Sequence, residues 1–129
     1  MTTAALSLDR SSFLRRVLFV DAATCVVTGA LLALGAGPLS PLLGLPAALL
    51  FYAGLSLFPI AALMAYIGAR PTAAGAWFII AGNAAWVLGS IAVLFLFSTT
   101  ALGLAFVIAQ AAAVALLAEL EYVGVRKLS

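Results

Sequence analysis

Acidic and amide side chains are rare in this 129-residue chain, and those in its long apolar stretches include Asp21, Asn83, Glu119 and Glu121. A carboxyl group in apolar surroundings can hold and release a proton, bind a cation or accept hydrogen bonds. Other chemistry finds little support, since the chain has no histidine and a single cysteine, Cys25. We therefore expect no metal site, no cofactor and no intramolecular disulfide, and the sequence gives little reason to expect an enzyme.

The composition indicates a multi-pass membrane protein. Hydrophobic residues make up 67% of the chain and charged residues 8%, whereas soluble domains carry roughly 25% charged residues. Forty-eight uncharged residues separate Asp21 from Arg70, and another forty-eight separate Arg70 from Glu119. A helix needs about 20 apolar residues to cross the hydrocarbon, so each interval is long enough for two spans. A soluble enzyme, a nucleic-acid-binding protein and a disordered chain are excluded.

Four helices must position the polar residues, in a single transmembrane domain that covers residues 1–129. Only helices and closed barrels satisfy the backbone in lipid, and long apolar runs without alternation favour helices. Proline, glycine and short polar segments mark the three connections between the runs. The sequence thus predicts an all-α, up-down four-helix transmembrane bundle, with spans at about 13–36, 45–69, 74–97 and 101–125.

The cationic residues predict the orientation. They lie in the N-terminal segment, the second connection and the C-terminal segment: Arg10, Arg15, Arg16, Arg70, Arg126 and Lys127. The first and third connections contain no Lys or Arg. Because Lys and Arg in short flanking segments stay on the cytoplasmic side, we expect a cell (inner or plasma) membrane protein with both termini cytoplasmic.

The second half of the chain is similar to the first. Asp21-Ala22-Ala23 aligns with Asn83-Ala84-Ala85, and residues 65–70 align with residues 121–126 through a shared Tyr-x-Gly-x-Arg pattern. Each half would leave and re-enter the cytoplasmic side, which predicts two tandem helical hairpins in parallel repeat about an axis along the membrane normal. Chance similarity between Ala- and Leu-rich helices is the alternative.

A polar pocket open to the cytoplasm is the main hypothesis for a site. Helical spacing places Asp21 and Asn83 on repeat-related faces, and the repeat selects Glu119 on the last span. Glu121 would point about 200° away from Glu119, on the face that carries Gln110. The candidate pocket residues are Asp21, Asn83, Trp86, Glu119, Tyr66 and Tyr122. Alternatively, the carboxylates reach headgroups or pair with arginines, and the amides only bind neighbouring helices.

Two further patterns predict local geometry. Pro59 should bend the second span, with Ser56 binding the carbonyl that proline leaves without a donor. Small residues at four-residue intervals, as in Gly29, Ala33 and Gly37, should allow helices to approach closely.

Three segments carry a resemblance: Val20-Asp21-Ala22-Ala23, Leu42-Leu43-Gly44-Leu45-Pro46 and Glu119-Leu120-Glu121-Tyr122. With them the chain resembles small uncharacterised bacterial four-helix integral membrane proteins, to which no known activity is attached. The resemblance extends over most of the chain and implies the same architecture.

The expected function is that of a non-catalytic subunit or scaffold, or of a protein that binds a lipid or small amphiphile. A small proton-coupled transporter using Asp21 and Glu119 is one alternative, and a membrane enzyme acting on a lipid-like substrate is another. Membrane lipid is the expected partner, together with a homo-oligomer or a larger membrane complex, and nucleic acid is not expected.

Overall fold

The computed structural model describes residues 3–128, with side chains from residue 11 onward, and these residues form five α-helices. The helices are α1 (Thr3–Leu34), α2 (Ala36–Leu43), α3 (Ala47–Ala69), α4 (Ala73–Leu96) and α5 (Ala101–Leu128). The segment Ser11–Leu34 of α1 and the whole of α3, α4 and α5 are long and apolar enough to span a membrane. The prediction of an all-α chain with four candidate spans is confirmed.

The first connection contains the short helix α2. The sequence did not predict this helix, because the proline and glycine residues of the segment indicated a connection. Gly44 ends α2 in the left-handed conformation, at φ 69°, which glycine adopts without steric cost. The Thr100 N–H donates to the Leu43 carbonyl at 3.2 Å, and a Cβ on Gly103 would overlap that carbonyl. Close approach at Gly103 therefore holds the end of α2 against the start of α5.

The membrane-length helices pack unequally. The contacts of α1 with α3 and of α4 with α5 are the most extensive, and α1 also packs against α5. In contrast, α3 and α4 meet at few positions although they follow each other in the chain. Two apolar clusters fill the interior, one around Leu18 and Met64 and the other around Leu50 and Val107. Cavities lined by all four membrane-length helices remain where α3 and α4 contact each other little.

The backbones of α1 and α3 come closest at two glycines. A Cβ on Gly29 would lie 2.8 Å from the Gly54 carbonyl oxygen, and a Cβ on Gly54 would lie 2.7 Å from the Ala33 nitrogen. The predicted close approach thus occurs at Gly29 and Ala33. Gly37, the third residue of that pattern, would meet no atom within 4 Å if it carried a Cβ.

Pro59 lies within α3, which continues through it. Proline has no N–H for the Leu55 carbonyl, one turn earlier. The Ser56 hydroxyl donates to the Ala53 carbonyl at 2.7 Å, so the prediction that Ser56 binds the freed carbonyl is wrong. A helical serine hydroxyl reaches back to the preceding turn, whereas the Leu55 carbonyl belongs to the adjacent residue.

Candidate functional site

Three polar side chains from three helices meet in the interior of the protein: Asp21 of α1, Asn83 of α4 and Glu121 of α5. Their exposed fractions are 2%, 6% and 0%. The Asn83 side-chain nitrogen donates to Asp21 Oδ2 at 2.9 Å and to Glu121 Oε1 at 2.8 Å. Asn83 therefore joins the two carboxyl groups, and we name these three residues the acid–amide cluster.

Two members of the cluster occupy equal positions in their spans. Asp21 is the eleventh residue of the 24-residue span Ser11–Leu34, and Asn83 is the eleventh of the 24-residue span Ala73–Leu96. At 1.5 Å per residue, each residue lies about 15 Å from the start of its span. Ionisable groups so placed are costly and usually face the protein interior. The burial of Asp21 and Glu121 follows that rule.

The acidic residue that α5 contributes is Glu121, and the prediction that Glu119 faces inward is wrong. Glu119 is exposed, whereas Glu121 is fully buried. Residues two apart on a helix point about 200° away from each other, so only one of the two can face α4. The sequence analysis placed Gln110, eleven residues or about three turns before Glu121, on the same face as Glu121, and that face is the one turned inward.

The two tyrosines of the predicted pocket lie on the outside. Tyr66 is 63% exposed and Tyr122 is 40% exposed. Arg126 donates to the Tyr122 hydroxyl at 3.4 Å, and the Tyr122 ring lies against Trp77 with 5.6 Å between ring centroids. Of the six predicted pocket residues, the structure brings Asp21, Asn83 and Trp86 to one cavity, and it places Glu119 and both tyrosines elsewhere.

No positively charged group among the described side chains is paired with the two carboxyls. Within the described side chains, no Arg or Lys forms an ion pair with Asp21 or Glu121, so the predicted alternative of arginine pairing is not realised. The Cys25 thiol lies 3.9 Å from Asp21 Oδ1, and Glu121 Oε2 is buried without a hydrogen-bond partner. Across the described range, no set of three His, Cys, Asp or Glu residues is arranged to hold a metal ion.

The two carboxyl groups are too close for both to be charged without cost. Asp21 Oδ2 and Glu121 Oε1 both lie within 3 Å of the Asn83 nitrogen, so they are less than about 6 Å apart, a distance at which like charges repel strongly. Burial adds the cost of removing each charge from water. We therefore expect the pair to hold at least one proton near neutral pH.

A second hydrogen-bonded set joins α4 to α5. The Trp86 indole N–H donates to Gln110 Oε1 at 2.7 Å, and Gln110 Nε2 donates to Ser90 Oγ at 2.8 Å. The Ser90 hydroxyl in turn donates to the Trp86 carbonyl at 2.8 Å. A satisfied network of this kind fixes how two helices face each other. Gln110 thus binds a neighbouring helix, as one of the sequence hypotheses proposed.

Two adjoining cavities are lined by residues of α1, α3, α4 and α5, and α3 and α4 contact each other at few positions. The first has a volume of about 170 Å³ and includes Asp21, Asn83 and Trp86 in its wall. The second has a volume of about 420 Å³ and is lined mainly by apolar side chains. Four residues line both cavities: Thr28, Gly82, Trp86 and Gln110. We name the combined space the α3–α4 groove, which is apolar along most of its length and acidic at the cluster.

No protein-family model, curated protein or solved structure matches this chain. The case for a function therefore rests on the acid–amide cluster and on the α3–α4 groove.

Proposed function

We propose that this multi-pass membrane protein binds a lipid or another small amphiphile in the α3–α4 groove. The groove is the observation that carries the proposal. Small-molecule sites are concave, mostly apolar and about 300–1,000 Å³ in volume, with a few polar groups that orient the ligand. The larger cavity alone, at about 420 Å³, is within that range. Binding needs no catalytic group, in keeping with the sequence.

The distribution of polar groups suits an amphiphile. Leu32, Leu49 and Val93 line the second cavity and offer contacts to an alkyl tail. Asp21 and Asn83 line the first cavity and offer polar contacts to a headgroup. A tail and a headgroup can thus occupy adjoining parts of one groove.

The groove offers a direct test through its glycines. Gly82 and Gly89 line it, and a Cβ on either would meet no atom within 4 Å. A phenylalanine at position 82 or 89 should therefore fill the groove and leave the packed interior intact. We expect Gly82→Phe and Gly89→Phe to weaken binding of radiolabelled 1-dodecanol at least about tenfold, since each ring removes apolar contact area. The measurement uses phosphatidylcholine nanodiscs, with uptake by empty nanodiscs subtracted.

Gly37→Phe is the matched control. It adds the same ring in open space away from the groove, so dodecanol binding should stay at the wild-type level. Equal binding by all three variants and the wild type, or an absence of saturable binding in the wild type, would overturn the proposed function.

We also propose that the four spans form an up-down bundle of two hairpin repeats, α1–α3 and α4–α5. The repeat is supported by the equal positions of Asp21 and Asn83 in their spans and by the extensive packing within each hairpin. Under this relation, the contact of α1 with α5 would be repeated between α4 and α3, where few contacts exist. The α3–α4 groove thus lies where the extensive α1–α5 contact has no equivalent between α4 and α3.

We expect both termini to be cytoplasmic, because all six cationic residues lie in the segments that such a topology retains inside. Single cysteines at Gly37, Ala74 and Ser98, in a Cys25→Ala background, report the three connections. An impermeant thiol reagent added to intact cells should label positions 37 and 98 and spare position 74. The reverse pattern would show that the orientation is inverted.

A further inference from the structure

The lining of the α3–α4 groove contains a carboxyl group without a counter-charge. Asp21 is the single carboxyl residue among the described residues that line its two cavities, and no Arg or Lys lines either of them. Glu121 lies directly behind Asp21, joined to it through Asn83. A positively charged headgroup in the first cavity would therefore meet an acidic wall with no competing cation.

The surroundings of the cluster contribute few titratable groups. From α1 these are Asp21 itself and Cys25, and from α5 Glu121. The neighbours from α3 and α4 are Met64, which contacts Cys25, and Asn83, and neither titrates. The titratable groups named around the acid–amide cluster are thus all acids. Glu121 Oε2 adds a fully buried acceptor with no hydrogen-bond partner.

Entry of a cation into the groove should be coupled to release of a proton from the Asp21–Glu121 pair. With the groove empty, one proton shared by Asp21 and Glu121 avoids two neighbouring charges in apolar surroundings. A cation beside Asp21 favours the ionised pair, so the proton is released to water as the cation enters. Phe78 and Trp86 line the same cavity, and aromatic faces attract alkylammonium groups.

We propose that the α3–α4 groove is selective for cationic amphiphiles and that each bound cation displaces one proton from the Asp21–Glu121 pair. The selectivity rests on the proposed function, because it requires that the groove accept an amphiphile. One cation is taken up, one carboxyl O–H bond is broken and its proton passes to water; no other covalent bond changes.

The test compares two probes with equal tails, dodecyltrimethylammonium and 1-dodecanol. Neither headgroup titrates near neutral pH, so any pH dependence belongs to the protein. For the full-length chain in phosphatidylcholine nanodiscs, the affinity for the cation should rise about tenfold between pH 6 and 8, within the limit for one linked proton. Dodecanol affinity should not change. Calorimetry in two buffers of different ionisation enthalpy should show about one proton released per cation.

Two conservative variants assign the proton to the cluster. Asp21→Asn and Glu121→Gln should each reduce the pH dependence of cation binding. Glu119→Gln is the matched control, since it removes an exposed carboxyl from the same helix and should behave as the wild type. The selectivity would be overturned if the wild type bound the cation with an affinity that is independent of pH or no greater than its affinity for dodecanol. Dodecanol binding would in that case still support the proposed function. Loss of wild-type dodecanol binding would instead remove the proposed function.

Discussion

Asn83→Leu should lower the free energy of unfolding by about 2–4 kcal/mol, because it leaves two buried carboxyl groups without their shared donor. Asn83 donates to both Asp21 and Glu121 at 2.8–2.9 Å. An average hydrogen bond between membrane helices contributes only about 0.6 kcal/mol. Here the loss should be larger, since each orphaned buried polar group costs roughly 1–3 kcal/mol and protonation relieves only part of that. Reversible unfolding in mixed micelles measures the change.

The double variant Asn83→Leu with Glu121→Leu checks the cause. Removing one orphaned carboxyl should restore part of the lost stability, which gives a positive coupling in the double-mutant cycle. Glu119→Leu is the control, and it should have little effect because Glu119 is exposed. Asn83→Leu with wild-type stability would mean that the carboxyl groups do not depend on Asn83.

Gly54→Leu should reduce stability by about 3 kcal/mol or more, at the upper end of overpacking effects. A Cβ at position 54 would lie 2.7 Å from the Ala33 nitrogen and 2.8 Å from the Gly29 carbonyl oxygen. Both are backbone atoms, so α1 and α3 would have to separate along their most extensive contact. The same unfolding measurement applies, and Gly37→Leu, which enters open space, should be nearly neutral. Equal stability of the two variants would contradict the close crossing of α1 and α3.

The spans could be predicted because each is a long apolar run between proline, glycine or polar segments. Helix α2 could not, since Pro38 and Pro41 also fit an irregular connection. Pro38 lies in the first turn of α2, where proline is tolerated because the backbone N–H groups have no helical partner, whereas Pro41 lies inside the helix. The docking of α2 depends on the distant residues Thr100 and Gly103. A local sequence pattern cannot reveal such a contact.

The cluster was predictable on two helices and not on the third. The repeat aligned Asp21 with Asn83, and the structure joins these two side chains directly. On α5 the repeat selected Glu119, and a two-residue difference there reverses the face of the helix. The groove had no sequence signal, because it arises where α3 and α4 make few contacts rather than from any residue pattern.

The most direct measurement of the acid–amide cluster is carboxyl infrared spectroscopy on the chain in nanodiscs at pH 7. Two carboxyl groups on one Asn83 nitrogen, buried and without a counter-charge among the described side chains, should retain a protonated-acid band. The band should shift or lose intensity in Asp21→Asn and in Glu121→Gln and stay unchanged in Glu119→Gln. Fully ionised carboxylates at pH 7 in the wild type, or a band lost only in Glu119→Gln, would contradict a buried, proton-sharing pair.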